Sequence, residues 1–376
     1  MKWDIKLRGV VVLSVLANAA HAQSSLTLYG AIDNGLLYQS TSASSFSPKA
    51  GNNGTIWQDK DAGLYASFWG LKGIEDIGNG YKANLKLQGS FFSNSGKIQL
   101  SDTTGATAIF NQVATIGISG PFGVIDVGRQ YSPMIYAMVD TDARAGAYFG
   151  SILTAWLSMN QAAGWSGANS NLPIGALFDS NAIVYQSPKF YGTTVELEYA
   201  PGGVAGQVQG GTRESAVIKY SNYGLNVSAV YYNGRDTNPV SMSAPTGLDN
   251  NRFYYLGAMY RYQGMSVSAS YSVGKNPANS THADIEMISG GIGYQFTPWF
   301  SVTSGYYYLR DRNNTANQSD AYSIGANYSL SKRTITYFQV GHVDNRGGMT
   351  QWIAYGAPVA PGVSTTEVMI GVRHTF

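Results

Sequence analysis

Groups able to do covalent chemistry are scarce and scattered. The chain has 376 residues, no Cys and 4 His. Without a thiol, thiolate metal sites and cysteine nucleophiles are excluded. His282, His342 and His374 stand far apart. No Gly-x-Ser-x-Gly nucleophile elbow, His-Glu-x-x-His zinc motif or Gly-x-x-x-x-Gly-Lys-Ser phosphate loop occurs. His342 lies near Asp344 and reads as a loop hydrogen-bonder, and His374 falls on an apolar-periodic face. Asp311, Asn313 and Thr315 have the odd-position spacing of a calcium loop but lack its Gly and later Glu, so they read as a polar loop. We therefore expect no catalytic set, no metal and no cofactor.

The N-terminus carries Lys2, Lys6 and Arg8, an apolar run from Val10 to Leu16, then Ala20-His21-Ala22. These are the three regions of a secretory signal, with cleavage expected after Ala22 and a mature domain over 23–376. The apolar run is too short for a spanning helix, which needs roughly 20 residues. Removing 1–22 takes away three basic groups and Asp4, leaving 21 of the 24 basic and 21 of the 22 acidic groups. With no basic excess to neutralise phosphates, nucleic acid is not an expected partner.

Composition and patterning name the elements. There are 45 Gly, 27 Tyr, 14 Phe and 7 Trp, with 12% charged residues, which is strand and turn chemistry. Mean hydropathy is only −0.12. A transmembrane barrel averages out this way because lipid-facing and lumen-facing residues alternate. Leu26, Leu28, Gly30 and Ile32 alternate with Thr27, Tyr29, Ala31 and Asp33, and Ala83, Leu85 and Leu87 with Lys82, Asn84, Lys86 and Gln88. Val368, Ile370, Val372, His374 and Phe376 share one face at the end. Short turns such as Ile77 to Gly80 and Gly120 to Gly123 alternate with long loops such as Ser40 to Asp61, Ser132 to Leu177, Gly234 to Asn251, Lys275 to Ala283 and Asn345 to Thr365. That is the hairpin order of an all-β transmembrane antiparallel barrel, and about sixteen segments can be counted. Such a barrel is too wide to fill with strand side chains and should hold water. The pairs Tyr231 with Tyr232 and Tyr254 with Tyr255, the run Tyr306 to Tyr308, and Trp299-Phe300 are expected in interfacial girdles.

Six short motifs, in this order, resemble the general trimeric porins of Gram-negative bacteria, most like those of β-proteobacteria. They are Ser25-Leu-Thr-Leu-Tyr-Gly30, Trp69-Gly-Leu-Lys-Gly-Ile-Glu-Asp76, Gly120-Pro-Phe-Gly123, Gly128-Arg-Gln-Tyr131, Tyr185-Gln-Ser-Pro-Lys-Phe190 and Gly371-Val-Arg-His-Thr-Phe376. The resemblance covers the whole mature chain. It implies an outer-membrane homotrimer among lipid and lipopolysaccharide, with one passive pore per subunit for ions and small hydrophilic solutes. The terminal Phe376 resembles the signal read by the outer-membrane assembly machinery. A long third loop, here Ser132 to Leu177, should fold into the lumen, where irregular backbone is tolerated beside water. In the family, loop acids oppose a basic wall. Arg129 matches one basic position, although strict alternation from Ile125 through Val127 aims it at lipid. Asp140 and Asp142 stand where loop acids belong. Lys72, Lys82 and Lys86 fall on the non-apolar face and join the expected lining.

The chain departs from that pattern. Phe68, Gln112, Phe178 and Val184 stand where relatives usually carry pore-facing arginines, and Gly146-Ala-Tyr148-Phe-Gly150 replaces a Pro-Glu-Phe-Gly-Gly motif. A less charged, more aromatic constriction built with Phe68 and Tyr148 is expected, with weaker anion preference. The rival readings are an outer-membrane barrel enzyme, for which no motif speaks, and a loop-mediated adhesin.

Overall fold

The computed structural model describes residues 25–102, 105–236, 247, 250–277 and 282–376. The expected signal segment and cleavage site, and parts of the Gly234 to Asn251 and Lys275 to Ala283 loops, lie outside these. Among the described residues seventeen strands form one antiparallel sheet. They are β1 (Ser25–Ala43), β2 (Asn52–Asp61), β3 (Ser67–Gly78), β4 (Tyr81–Phe91), β5 (Val113–Gly120), β6 (Gly123–Tyr131), β7 (Phe178–Gln186), β8 (Thr193–Ala200) and β9 (Arg213–Asn222). The rest are β10 (Leu225–Arg235), β11 (Asn250–Tyr262), β12 (Met265–Asn276), β13 (Ala283–Thr297), β14 (Phe300–Asp311), β15 (Gln318–Ser329), β16 (Thr334–Arg346) and β17 (Thr365–Thr375).

Seventeen strands make sixteen staves. β1 is long enough to pair twice, its first half with β3 and its second half with β2, so β2 and β3 share one stave interrupted at 62–66. The stretch from Ser40 to Asp61, expected as a long loop, is therefore mostly a hairpin that continues the sheet. β17 pairs with β1, and Phe376 and Gly30 exchange two backbone hydrogen bonds at the seam. The ring is closed. Among the described residues every stave is thereby paired on both sides, with only the loop-end segment β2 pairing on one, as backbone polar groups in hydrocarbon require.

Alternation sends the apolar set outward. Leu28, Ile116, Ile218, Leu256, Ile292 and Ile370 are exposed on the outer face. Aromatic pairs ride on the same face near the strand ends, among them Tyr231 with Tyr254 at 5.5 Å and Tyr306 with Tyr322 at 5.0 Å between ring centroids. The girdle expectation fails for one tyrosine of each cluster. Tyr232, Tyr255 and Tyr307 are one residue out of phase with their neighbours and are buried inside the barrel. His342 differs too: it lies in β16, bonded to Thr366 Oγ1 at 2.9 Å rather than to Asp344.

The inside is filled unevenly. Residues 132–177 turn inward and carry helices α1 (Pro133–Val139) and α2 (Ile152–Ala162). Pro133 stands in the first turn of α1, where no N–H is needed. Ser151 caps α2 by accepting from the Leu153 N–H, and Thr154 returns a bond to the Ser151 N–H. Leu153, Trp156, Leu157 and Met159 of α2 are buried. Against them pack inward-facing strand residues of the loop end, including Val230, Phe253, Met287 and Leu309, and the segment 347–364, whose Trp352 and Ile353 are also buried. Part of the lumen expected to hold water is thus an apolar core.

Candidate pore constriction

The inward loop is tied down along one arc of the wall. At its start Ser132 Oγ donates to Glu198 at 2.8 Å. Thr141 and Tyr255 share a hydroxyl hydrogen bond, and the Ala143 N–H donates to Ser268 Oγ at 3.0 Å. Asp142 accepts from the Gly146 N–H and the Tyr307 hydroxyl. Arg144 donates to the Phe149 and Gly150 carbonyls, to Thr303 Oγ1 and to Gln339 Oε1. The wall makes room for this. At Gly291 a Cβ would press on the Ala143 side chain, and at Gly325 it would collide with the Arg144 guanidinium. The loop tip then meets the β2–β3 link through the Tyr148 N–H on the Leu64 carbonyl.

The opposite arc, β3 to β7, is filled less completely, and three cavities succeed one another along it. At the short-turn end is one of about 320 Å³, which Lys86, Asp126, Asp140, Glu196 and Lys219 help to line. Lys86, Tyr131 and Tyr136 also line the next, of about 260 Å³, between α1 and strands β3 to β5. Gln112, Tyr148 and Leu177 in turn lead to a space of only about 20 Å³ beneath the loops, room for about one water.

Paired residues on neighbouring strands share a face, so the register places the cations. Thr27, Lys72, Lys86 and Thr115 lie side by side across β1, β3, β4 and β5 on the lumen face. Lys82 is opposite Asp76 on the same face, nearer the turns. Lys72 Nζ stands 5.3 Å from the Tyr29 ring centroid. Phe68 and Tyr148 both line the middle cavity, with Gln112. Phe178 lies above it and Val184 below.

The expected acids separate. Asp140 reaches the lower cavity, where Lys219 is 3.6 Å away and pairs more closely with Glu196 at 2.6 Å. Asp142, two residues on, is buried and does not present its carboxylate to the lumen. Burial pushes that carboxyl up, opposed by hydrogen bonds from Gly146, Tyr307 and Ile152 and by Arg144. Arg129 does escape the lipid face. Gly128 has φ +127°, the β6–β7 register slips between Gly128 and Gln130, and the guanidinium swings to Asn111 O, Ser170 Oγ and Ser180 Oγ. With Asp102 at 3.5 Å and Phe178 beneath it, this Arg is a clasp between two loops and the wall. Sequence reasoning missed the inward segment 347–364. Its one signal was apolar density at Trp352, Ile353, Val359 and Val363 in a loop.

Comparisons agree with this architecture. The sequence model of the Gram-negative porin family matches residues 9–348. Outer membrane porin protein 32 of Delftia acidovorans is 27% identical, covering 98% of this chain and 99% of that one. The major outer membrane protein P.IB of Neisseria meningitidis serogroup B is 25% identical over the same shares. Among solved structures, an anion-selective porin from Comamonas acidovorans superposes with a TM-score of 0.77 at 23% identity, covering 94% of this chain and all of that one. A family match over residues 9–348, a closed sixteen-stave barrel and a loop folded into its lumen together make this chain a member of the Gram-negative porin family, an integral outer-membrane protein forming a passive channel.

Proposed function

We propose that solutes and ions cross beside Lys86, through the cavity of about 260 Å³ left between the inward loop and β3 to β5. The inward fold of residues 132–177 carries this reading, because it fills the lumen more completely on one side. Lys72, Lys82 and Lys86 form the cationic wall, with Asp140 below it and Phe68 and Tyr148 narrowing the way. Arg129 and Asp142 act on the solute through the loop they hold. Carboxylates at Asp126, Asp140 and Glu196 lie close to these lysines, so we infer a weak anion preference. The mature protein begins at Gln23 and assembles as a homotrimer, one pore per subunit, in a membrane of lipid and lipopolysaccharide, delivered by the assembly machinery through Phe376. It carries no catalytic activity.

Single-channel recording of the mature protein in a planar bilayer under a salt gradient tests this. Conductance steps in groups of three and a small reversal potential of anion-selective sign are expected. Steps of one, or a cation-selective potential, overturn the trimer or the wall respectively. If replacing Lys72, Lys82 and Lys86 together leaves selectivity unchanged, the wall assignment fails.

A further inference from the structure

We infer that the middle cavity is a recognition subsite for small aromatic monocarboxylates, solutes with one flat apolar ring and one carboxylate. This rests on the constriction reading above and adds the class of solute selected there. The rings of Tyr65, Phe68, Tyr131, Tyr136 and Tyr148 help to line the cavity from both sides, and Lys86 is the one charged residue among its lining. Lys86 makes no ion pair among the described residues and is half-buried, and Lys72 stands beside it on the same face. No Asp or Glu is among the residues lining this cavity, although Asp126 faces Lys86 from the cavity below. Asp142 is buried in the loop tip, Asp140 and Glu196 hold Lys219 in the lower cavity, and Asp126 lines that lower cavity too.

Each part of the solute follows from this inventory. An ammonium would find ring faces to its liking but would have to sit against Lys86, so organic cations are disfavoured. Polyhydroxylated solutes need many unpaired partners. Gln88 and Gln112 are already bonded to each other at 2.6 Å, and the Tyr29 hydroxyl occupies Gln88 Oε1. A carboxylate gains a charge-assisted contact with Lys86 while its ring stacks among Tyr and Phe. At roughly 30 Å³ per water in liquid, 260 Å³ is at least about nine waters, the scale of a single ring bearing one carboxyl group.

The experiment is open-channel blockade in a planar bilayer, with benzoate, acetate, benzyl alcohol and benzylamine added in turn. Benzoate is expected to interrupt the current at concentrations roughly tenfold below those the other three require, the size of one charged hydrogen bond. Lys86→Gln and Tyr136→Ala should each raise the benzoate concentration needed by about that factor. Acetate matching benzoate, or benzyl alcohol matching it, overturns the inference, since charge or ring alone would then suffice. Reversal potentials on the same variants separate the two levels. A shift for Lys86→Gln with unaltered benzoate blockade sinks the subsite alone. No shift in either sinks the constriction reading with it.

Discussion

Two arcs of one wall obey the same alternation and do opposite work. From β8 to β16 the inward positions at loop depth receive the inward loop as a core receives a helix, with apolar residues such as Val230, Phe253, Met287 and Leu309, glycines that make room, and Glu198, Tyr255, Tyr307 and Gln339 bonded to it. From β3 to β7 they include Lys72, Lys86 and Asp126, which the loop leaves exposed or half-exposed. Asp140 and Asp142 show the contrast at two residues' distance. The side chain of the first is 52% exposed in the lower cavity, and that of the second is buried in a hydrogen-bonded tip. Inward orientation does not by itself make a residue pore-lining. The test is whether another segment covers it.

The largest expected effect breaks the covered arc. Asp142→Ala removes the acceptor of the Tyr307 hydroxyl and the Gly146 N–H, and takes away the carboxylate whose field acts on the buried Arg144. Stripping one partner from a buried charged set costs about 3–5 kcal/mol. Thermal unfolding followed by circular dichroism should show a clear fall in midpoint, with noisier single channels as the loop tip loosens. An unchanged midpoint would mean that the tip is not held by this set.

Next in size, Gly291→Leu forces a side chain into the space held by Ala143 and Ser268 Oγ. Overpacking of this kind costs about 1–3 kcal/mol. The barrel itself should still close, because Gly291 keeps its backbone pairing with Ser268 and Gly305. Far-UV dichroism is expected to stay β-rich while the unfolding midpoint drops.

These two sites also mark where sequence reading stops. Strand periodicity is local, so an antiparallel barrel of about sixteen staves and the position of the long segment from Ser132 to Leu177 are legible from alternation and turn residues, while β2, inside the stretch read as a loop, is not. The burial of Asp142 depends on Tyr307, 165 positions away, and the filling of the lumen on Trp352 meeting Ser158. No window of sequence holds both partners. Arg129 is intermediate. Alternation predicts the wrong face, and Gly128 beside it is the visible sign that the strand kinks there.

On the less filled arc the prediction reverses. Lys72→Gln with Lys86→Gln removes two charges that make no ion pair among the described residues, so the unfolding midpoint should hold steady while the reversal potential moves toward cations. A lowered midpoint with unmoved selectivity would show that these lysines belong with the packing after all, and the two arcs would no longer differ.

The smallest expected effect comes from Asp140→Asn. Its carboxylate lies 3.6 Å from Lys219, half in water, and Lys219 keeps Glu196 as its closer partner, so stability should change by well under about 1 kcal/mol. Removing one negative charge from the lower cavity leaves Lys86 and Lys219 less offset, and the reversal potential should move toward anions, opposite to the lysine pair. The sign is informative because Asp142→Asn, on the buried member, should move stability and leave selectivity nearly alone. Salt then separates a field effect from a change of shape. The Debye length falls from about 10 Å at 0.1 M to about 3 Å at 1 M. If Asp140 acts through its charge, the shift fades over that range. If it persists at 1 M, Asp140 is shaping the loop rather than the field, and its place beside Asp142 in the anchoring set is the better account.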